Sequence, residues 1–209
     1  MASEPLVFTH DFFSHRQKLA CTRGDRKLFD GLSFRVSAGQ ALAVEGANGA
    51  GKTSLLRMLA GFLAPAAGRI VLKSAQAEIH ESEERGKAIG WLGHQDGLKP
   101  QLTVREQLDF FARLHGAPAE AGVLKQVGLE RQAELPCRYL SAGQRRRLAL
   151  ARLLASDRPV WLLDEPFAAL DASGQALVAQ LMARHCGHGG IIIAATHEPL
   201  GLGNESLKL

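Results

Sequence analysis

The most informative segment of the chain reads Gly46-Ala47-Asn48-Gly49-Ala50-Gly51-Lys52-Thr53-Ser54. It fits the pattern G-x-x-x-x-G-K-[ST], in which glycines let the backbone bend so that successive N–H groups can receive phosphate oxygens. An apolar run, Ala41-Leu42-Ala43-Val44, precedes it, and apolar residues at helical spacing follow it. A strand, a glycine-rich loop and a helix in this order predict a phosphate-binding loop at a helix N-terminus.

Two side chains at the end of this loop suit a nucleoside triphosphate. Lys52 would supply a mobile positive charge for the terminal phosphates, and the Thr53 hydroxyl could ligate Mg²⁺. A flexible glycine turn is the plain alternative, but the strand before the loop and the helix after it favour phosphate binding. We therefore expect ATP and Mg²⁺ as ligands.

A second segment ends a buried strand in two carboxylates: Val160-Trp161-Leu162-Leu163-Asp164-Glu165. Ligands of α/β proteins bind at the carboxyl edge of the sheet, where these acids would lie. Asp164 suits Mg²⁺, and Glu165 could take the proton from an attacking water. Acids at a strand end often cap the next helix instead. Because the phosphate-binding loop is also present, a catalytic role of Asp164 and Glu165 is favoured over helix capping.

Chain length and periodicity define the expected architecture. The 209 residues suit one domain, and 46% hydrophobic with 22% charged residues excludes disorder for most of the chain. Continuous apolar strands alternate with helices, which predicts an α/β fold with a mostly parallel sheet covered on both faces. We expect residues 1–18 to be an extension outside the fold. Residues 19–209 would form one domain with a helical subdomain at about 95–156.

Charge and cysteine usage exclude several function classes. The net charge is only +4, and the three arginines at 145–147 have no interleaved aromatic residues, so no nucleic-acid partner is expected. Three cysteines without a CxxC motif indicate a reducing compartment. No run reaches the ~18–20 apolar residues of a membrane span. The histidines and cysteine at 185–188 match no common zinc spacing. No haem attachment motif is present, so direct haem binding is not expected.

A third segment leads to a family. It reads Leu140-Ser141-Ala142-Gly143-Gln144 and resembles the signature motif of the ATP-binding cassette (ABC) superfamily, with Ala142 where glycine is commoner. Alone, Ser141 would be an ordinary helix N-cap. Between two nucleotide motifs, the Ser141 side chain and the Gly143 amide are better interpreted as an anion site at a helix start. The resemblance extends from about Leu19 to the end of the chain.

The resemblance implies how ATP would be bound and cut. In the superfamily two cassettes meet head to tail, and each ATP lies between the phosphate-binding loop of one copy and the signature segment of the other. Ala169-Leu170-Asp171 resembles the loop that joins the two sites. His197, after Thr196, resembles the histidine that senses the γ-phosphate. Glu165, His197 and Lys52 are thus the expected catalytic residues.

Two positions depart from the superfamily pattern. The glutamine usual before the segment Lys99-Pro100 is replaced by His94, with Gln95 beside it, and either could ligate Mg²⁺ or the attacking water. The aromatic residue that usually stacks on adenine is replaced by Arg23. A guanidinium plane can also stack on a base, so looser base selectivity is expected.

Within the superfamily, the run from Trp91 to Pro100 and the signature variant followed by three arginines resemble the ATPase subunits of haem exporters in cytochrome c biogenesis. This implies an integral-membrane permease as partner, at the cytoplasmic face of the bacterial inner membrane. Hydrolysis would drive haem export or the release of a haem-loaded chaperone. Another small-solute or lipid cargo is the alternative. A soluble cassette acting in DNA repair or translation is less favoured, since such proteins usually carry tandem cassettes or long coiled coils.

Overall fold

The structure is a computed structural model that describes residues 7–10, 18–73, 78–116, 122–203 and 205–209. Its strands are β1 (Val7–His10), β2 (Leu19–Arg23), β3 (Arg26–Leu32), β4 (Arg35–Ser37), β5 (Ala41–Glu45), β6 (Ile70–Lys73), β7 (Glu78–Ile79), β8 (Ile89–Leu92), β9 (Val160–Asp164), β10 (Ile191–Ala195) and β11 (Glu205–Lys208). Its α-helices are α1 (Lys52–Leu59), α2 (Ser82–Lys87), α3 (Val104–Leu114), α4 (Val123–Gln126), α5 (Ala142–Ser156) and α6 (Ala172–Gly187). Short 3-10 turns occur at Glu130–Gln132 and Cys137–Tyr139.

The central sheet has the strand order β11-β5-β10-β9-β8, and every neighbouring pair is parallel. All residues of β9 and β10 are buried, because helices cover both faces of a parallel sheet. In the register, Ala195 of β10 lies between Asp164 of β9 and Val44 of β5. The ends of β5, β9 and β10 therefore meet at one edge. The predicted α/β fold with a mostly parallel sheet is confirmed.

A second sheet corrects the expectation for the N-terminus. It has the order β4-β1-β6-β7, with antiparallel pairs, so residues 7–10 are part of the fold. Phe8 pairs with Val36 on one side and with Leu72 on the other. Four residues are too few to show a sequence period, and both pairing partners are distant in the chain. The rest of the expected extension, 1–6 and 11–17, lies outside the described residues.

The segment between β8 and β9 is helical in its described part. Thr103 caps α3 with a capping box: its side chain accepts from the Glu106 N–H, and the Glu106 carboxylate accepts from the Thr103 N–H. Sequence spacing predicts this cap. Residues of α3, α4 and α5 share one apolar cluster that includes Leu108, Leu124 and Leu148. Other residues of α5 pack on the central sheet, so α5 joins the helical segment to the sheet.

Candidate nucleotide-binding and hydrolysis site

The loop between β5 and α1 is shaped by its glycines. Gly51 has φ 110°, and a Cβ there would lie 3.1 Å from Phe29 Cδ1 and 3.2 Å from Leu28 Cβ. Gly46 has φ 153°, and its Cβ would lie 3.0 Å from the Leu209 carbonyl oxygen. Gly51 is also the N-cap of α1 and has no side chain to cap it. The first amides of α1 are therefore available to an anion, as the sequence pattern predicts.

Lys52 is held inside the loop that it follows. Its side chain is buried, and Nζ donates to the Gly46 carbonyl oxygen at 2.7 Å. Nζ also lies 3.0 Å from His197 Nε2. Lys52 and His197, 145 residues apart in sequence, thus share one site.

Thr53 and Asp164 form the pair expected for a divalent cation. The Thr53 hydroxyl lies 3.0 Å and 3.2 Å from the two carboxylate oxygens of Asp164, which is 4% exposed. Both groups offer hard oxygen ligands, and Mg²⁺ in nucleotide sites takes one or two protein oxygens while phosphates and water complete its shell. The donor set therefore fits Mg²⁺ arriving with a nucleotide.

Glu165 turns away from the sheet in an unusual backbone conformation. Its φ is 51°, in the left-handed region that non-glycine residues rarely adopt. Its N–H still donates to the Ala195 carbonyl at 2.8 Å, and its own carbonyl accepts from the Ala168 N–H at 3.1 Å. The carboxylate lies 3.6 Å from His197 Nε2. The turn thus directs Glu165 towards the same ring that contacts Lys52.

Lys52, Thr53, Asp164 and Glu165 line one cavity of about 490 Å³. The predicted residues that line it are Arg23, Ala47, Asn48, Gly49, Gly51, Lys52, Thr53, Ser54, His94, Asp164 and Glu165. His94 lies in this cavity, whereas Gln95 lines an adjacent groove. The side chain of Asn48 also lies 3.1 Å from His197 Nε2. The fold therefore brings the phosphate-binding loop, both carboxylates and His94 together.

The sequence did not lead us to predict two of the residues that line the cavity, Arg26 and Leu28. Both lie on β3, and Arg26 pairs with Arg23 across the hairpin. The signal was available in the sequence, because the turn at Gly24 and Asp25 places the flanking arginines opposite each other. The mouth of the cavity therefore carries two guanidinium groups near the expected position of the base.

The signature segment lies elsewhere. Ser141 caps α5 in a capping box with Gln144, with a distance of 3.2 Å from the Gln144 N to Ser141 Oγ. Gly143 is required by packing, because a Cβ there would lie 3.0 Å from the Ala169 carbonyl oxygen. In the part of the chain that the structure describes, none of residues 140–144 lines the nucleotide cavity. One copy therefore does not bring its own signature segment to its own phosphate-binding loop.

Asp171 has a structural task at the start of α6. Its carboxylate accepts from the Gly174 N–H at 2.8 Å and from the Ser173 hydroxyl at 3.0 Å. These hydrogen bonds lower the pKa of Asp171. The residue is thus an ordinary helix N-cap in this chain, in addition to the role that the family resemblance implies.

A strand, a glycine-rich loop with Lys52 and Thr53, and a strand ending in Asp164 and Glu165 define a P-loop nucleoside triphosphatase. Residues 29–168 match the ABC transporter family. The chain belongs to that family and is an ATP-binding, ATP-hydrolysing domain, as the motifs predict.

Relatives of known name agree with this assignment. The chain is 51% identical over 193 residues to the cytochrome c biogenesis ATP-binding export protein CcmA of Rhodopseudomonas palustris (strain BisB5), covering 91% of this chain and 94% of that protein. It is 46% identical over 198 residues to the protein of the same name from Rhizobium meliloti (strain 1021), covering 91% and 94%.

Two solved structures share the fold. One is the ATP-binding subunit of an ABC transporter, with a TM-score of 0.76 and 21% identity over 92% of this chain and 80% of that one. The other is a dimeric ATP-binding cassette in a post-hydrolysis state with ADP and phosphate, with a TM-score of 0.73 and 24% identity over 92% and 88%.

Proposed function

We propose that this chain is the ATP-hydrolysing subunit of a membrane export complex that serves cytochrome c biogenesis. The observation that carries the proposal is identity of about half of all aligned residues, over nine-tenths of the chain, to curated export proteins of that name. The phosphate-binding loop, His94 and the two carboxylates Asp164 and Glu165 also line one cavity. ATP hydrolysis would drive haem export or the release of a haem-loaded chaperone.

The residues at this site have separate roles in ATP hydrolysis. Amides of residues 46–51 and of the start of α1 bind the phosphates, and Lys52 exchanges its loop carbonyl for a terminal phosphate. Thr53 and Asp164 would hold Mg²⁺, which would neutralise charge on the phosphates. His94 stands where the family has glutamine and orients the attacking water. Glu165 takes the proton of that water, and His197 contacts the γ-phosphate.

Hydrolysis requires a second copy of the chain. Water must be excluded from the reacting phosphate during hydrolysis. The signature segment is exposed at Ser141 and does not line its own cavity. A head-to-tail partner would place its residues 140–144 over the ATP held by this copy. This arrangement supports hydrolysis only in the closed dimer.

The partner in the membrane is proposed to be an integral permease. None of the helices in the described ranges is long and apolar enough to cross a bilayer. We propose that the chain binds that permease at the cytoplasmic face of the inner membrane. A groove of about 750 Å³ between the sheet and the helical segment shares Thr53, His94 and Asp164 with the nucleotide cavity. The apolar side chains of Phe62 and Leu114 are exposed at this groove. It is the surface that we assign to the permease.

Two variants test the proposal. Lys52→Ala should abolish ATP binding, measured with a fluorescent ATP analogue, because the buried ammonium in the cavity is removed. Glu165→Gln should keep ATP binding, lose phosphate release and accumulate a closed dimer in size-exclusion chromatography with ATP. Lys27→Ala is the matched control, because Lys27 is an exposed lysine that pairs with Asp30.

The cellular part of the proposal is tested by deleting the gene and measuring c-type cytochromes by haem staining. The wild-type gene and Lys27→Ala should restore them, and Lys52→Ala and Glu165→Gln should not. Normal c-type cytochromes in the deletion strain would refute the assignment and favour another cargo. Wild-type phosphate release by Glu165→Gln would refute the role of Glu165.

A further inference from the structure

One buried arginine contacts both of the loops that surround the reacting phosphate. Arg146 lies on α5 shortly after the signature segment and is 3% exposed. Its Nη1 donates to the Gly93 carbonyl at 2.8 Å and lies 3.1 Å from Asp96 Oδ1. Its Nη2 donates to the carbonyl oxygens of Asp164 and Glu165, the latter at 2.7 Å. A planar guanidinium is suited to hold several acceptors in fixed directions.

The acceptors of Arg146 belong to two functional segments. Gly93 and Asp96 flank His94, which lies in the nucleotide cavity, and the second pair of carbonyls belongs to the turn that carries the two site carboxylates. Asp96 is the acidic partner, and its side chain is 21% exposed. A buried charge needs such partners, because it is costly to remove from water without them. Arg146 therefore depends on both segments keeping their positions, and each segment is tied to the other through it.

The contact with Glu165 bears on the direction of its carboxylate. The residue has a left-handed backbone, which must be held by its surroundings. Its carbonyl accepts from Arg146 and from the Ala168 N–H. These two hydrogen bonds hold the strained backbone from which the Glu165 side chain extends, so loss of the arginine would let the turn shift and carry the carboxylate with it.

A second arginine extends the connection to the helical segment. Arg152, further along α5, donates to the backbone carbonyls of Asp96 and Gly97. Its guanidinium lies 4.4 Å from the centre of the Phe111 ring on α3. Phe111 lines the groove next to the nucleotide cavity. The two arginines thus connect the loop at 93–97 to the groove on one side and to the turn that carries Asp164 and Glu165 on the other.

We propose that Arg146 is a positioning residue for ATP hydrolysis. It sets the direction of the Glu165 carboxylate relative to the loop at 93–97, so that a displacement of this loop withdraws the base from the reacting phosphate. This inference rests on the proposed role of Glu165 as the base. It deepens that role, since it names the residue through which the loop acts on the hydrolysis rate.

The first test separates binding from turnover in the full-length chain. Arg146→Gln should lower kcat for ATP roughly 10- to 100-fold, because a displacement of about 1 Å in a catalytic group has an effect of that size. The affinity for the ATP analogue should change less than about threefold, because Arg146 does not line the cavity. Arg147→Gln is the matched control on the same helix. Its guanidinium donates to the Val127 and Gly128 carbonyls, away from the turn, and its kcat should match the wild type.

The second test asks whether the arginine acts through Glu165. In the Glu165→Gln background, Arg146→Gln should lower the residual single-turnover rate no further, since groups that act as a unit are not additive. An equal fold-loss in both backgrounds would overturn the inference and indicate a general structural effect. Full activity of Glu165→Gln alone would instead refute the proposed base.

A third variant keeps the proposal testable if Arg146→Gln does not fold. Asp96→Asn removes the acidic partner of Arg146 and keeps its size, and we expect a several-fold lower kcat with unchanged analogue affinity, together with a lower thermal midpoint because the buried guanidinium loses its charged partner. Wild-type kcat in Asp96→Asn and in Arg146→Lys would overturn the inference. Wild-type kcat in Arg146→Gln, with Glu165→Gln inactive, would overturn it as well.

Discussion

His185 should make the stability of the domain depend on pH. Its ring stacks on Trp161 of β9 with the ring centres 3.9 Å apart and an angle of 12° between the planes. A Cβ on Gly190 would come within 2.3 Å of the ring, so a glycine there is needed to admit it. Burial lowers the pKa of His185 to about 4, although the backbone of Ile191 and Pro159 opposes this shift.

The direction of the pH dependence follows from proton binding to His185 in the folded and unfolded states. The unfolded chain takes up the proton at a pKa of about 6.5, and the folded chain only near 4. Between these values the unfolded state binds more protons, so the free energy of unfolding falls as pH falls. The two pKa values give a loss of about 2 kcal/mol between pH 7.5 and pH 5. This is an upper limit, because solvent reaches part of the ring.

Urea unfolding at pH 7.5, 6.5, 5.5 and 5 measures this loss. In His185→Phe, which keeps an aromatic ring against Trp161 but cannot bind a proton, the decrease should be smaller by up to about 2 kcal/mol. His188→Gln should retain the wild-type dependence, because His188 is exposed at the end of the same helix. Parallel curves for the wild type and His185→Phe would refute the assignment of a buried neutral histidine.

The remaining predictions concern the phosphate-binding loop. Gly51→Ala should lower the free energy of unfolding by about 1–3 kcal/mol in urea without nucleotide, from left-handed strain and from the contact with Phe29. Gly49 has φ 79°, but a Cβ there would have no neighbour within 4 Å among the described atoms, so Gly49→Ala should lower the free energy of unfolding by only about 1 kcal/mol. Equal losses in the two variants would contradict the packing argument. Thr53→Val should abolish the extra thermal stabilisation by ATP that Mg²⁺ provides and keep the Mg²⁺-free part, because a ligand oxygen is lost. An unchanged Mg²⁺ effect would remove Thr53 from the cation site.

The predictable part of this molecule is local in sequence. The loop from Gly46 to Thr53 is specified by its own glycines and by the strand and helix that flank it. The cap at Thr103 is specified by Glu106 three residues later. In such cases the groups that interact lie within one turn or one loop, so the spacing of residue types carries the information.

The parts that sequence reasoning missed depend on pairing over long distances. Strand β1 is defined by partners near Val36 and Leu72. The choice between His94 and Gln95 as the cavity residue follows from how β8 ends against the sheet. Arg146 gives no sequence signal of its role, because three of its acceptors are backbone carbonyls, which every residue has.

Several polar groups of the cavity contact one another or the loop backbone. Lys52 donates to Gly46, Thr53 contacts Asp164, and His197 lies between Lys52 and Glu165. ATP must therefore exchange these hydrogen bonds for its own, and such an exchange contributes little net free energy for each bond. The gain would then come from the charge of the phosphates and, in the proposed head-to-tail dimer, from surface buried against a second copy. ATP binding and closure of that dimer would be thermodynamically coupled, since a ligand that binds the closed form better shifts the equilibrium towards that form.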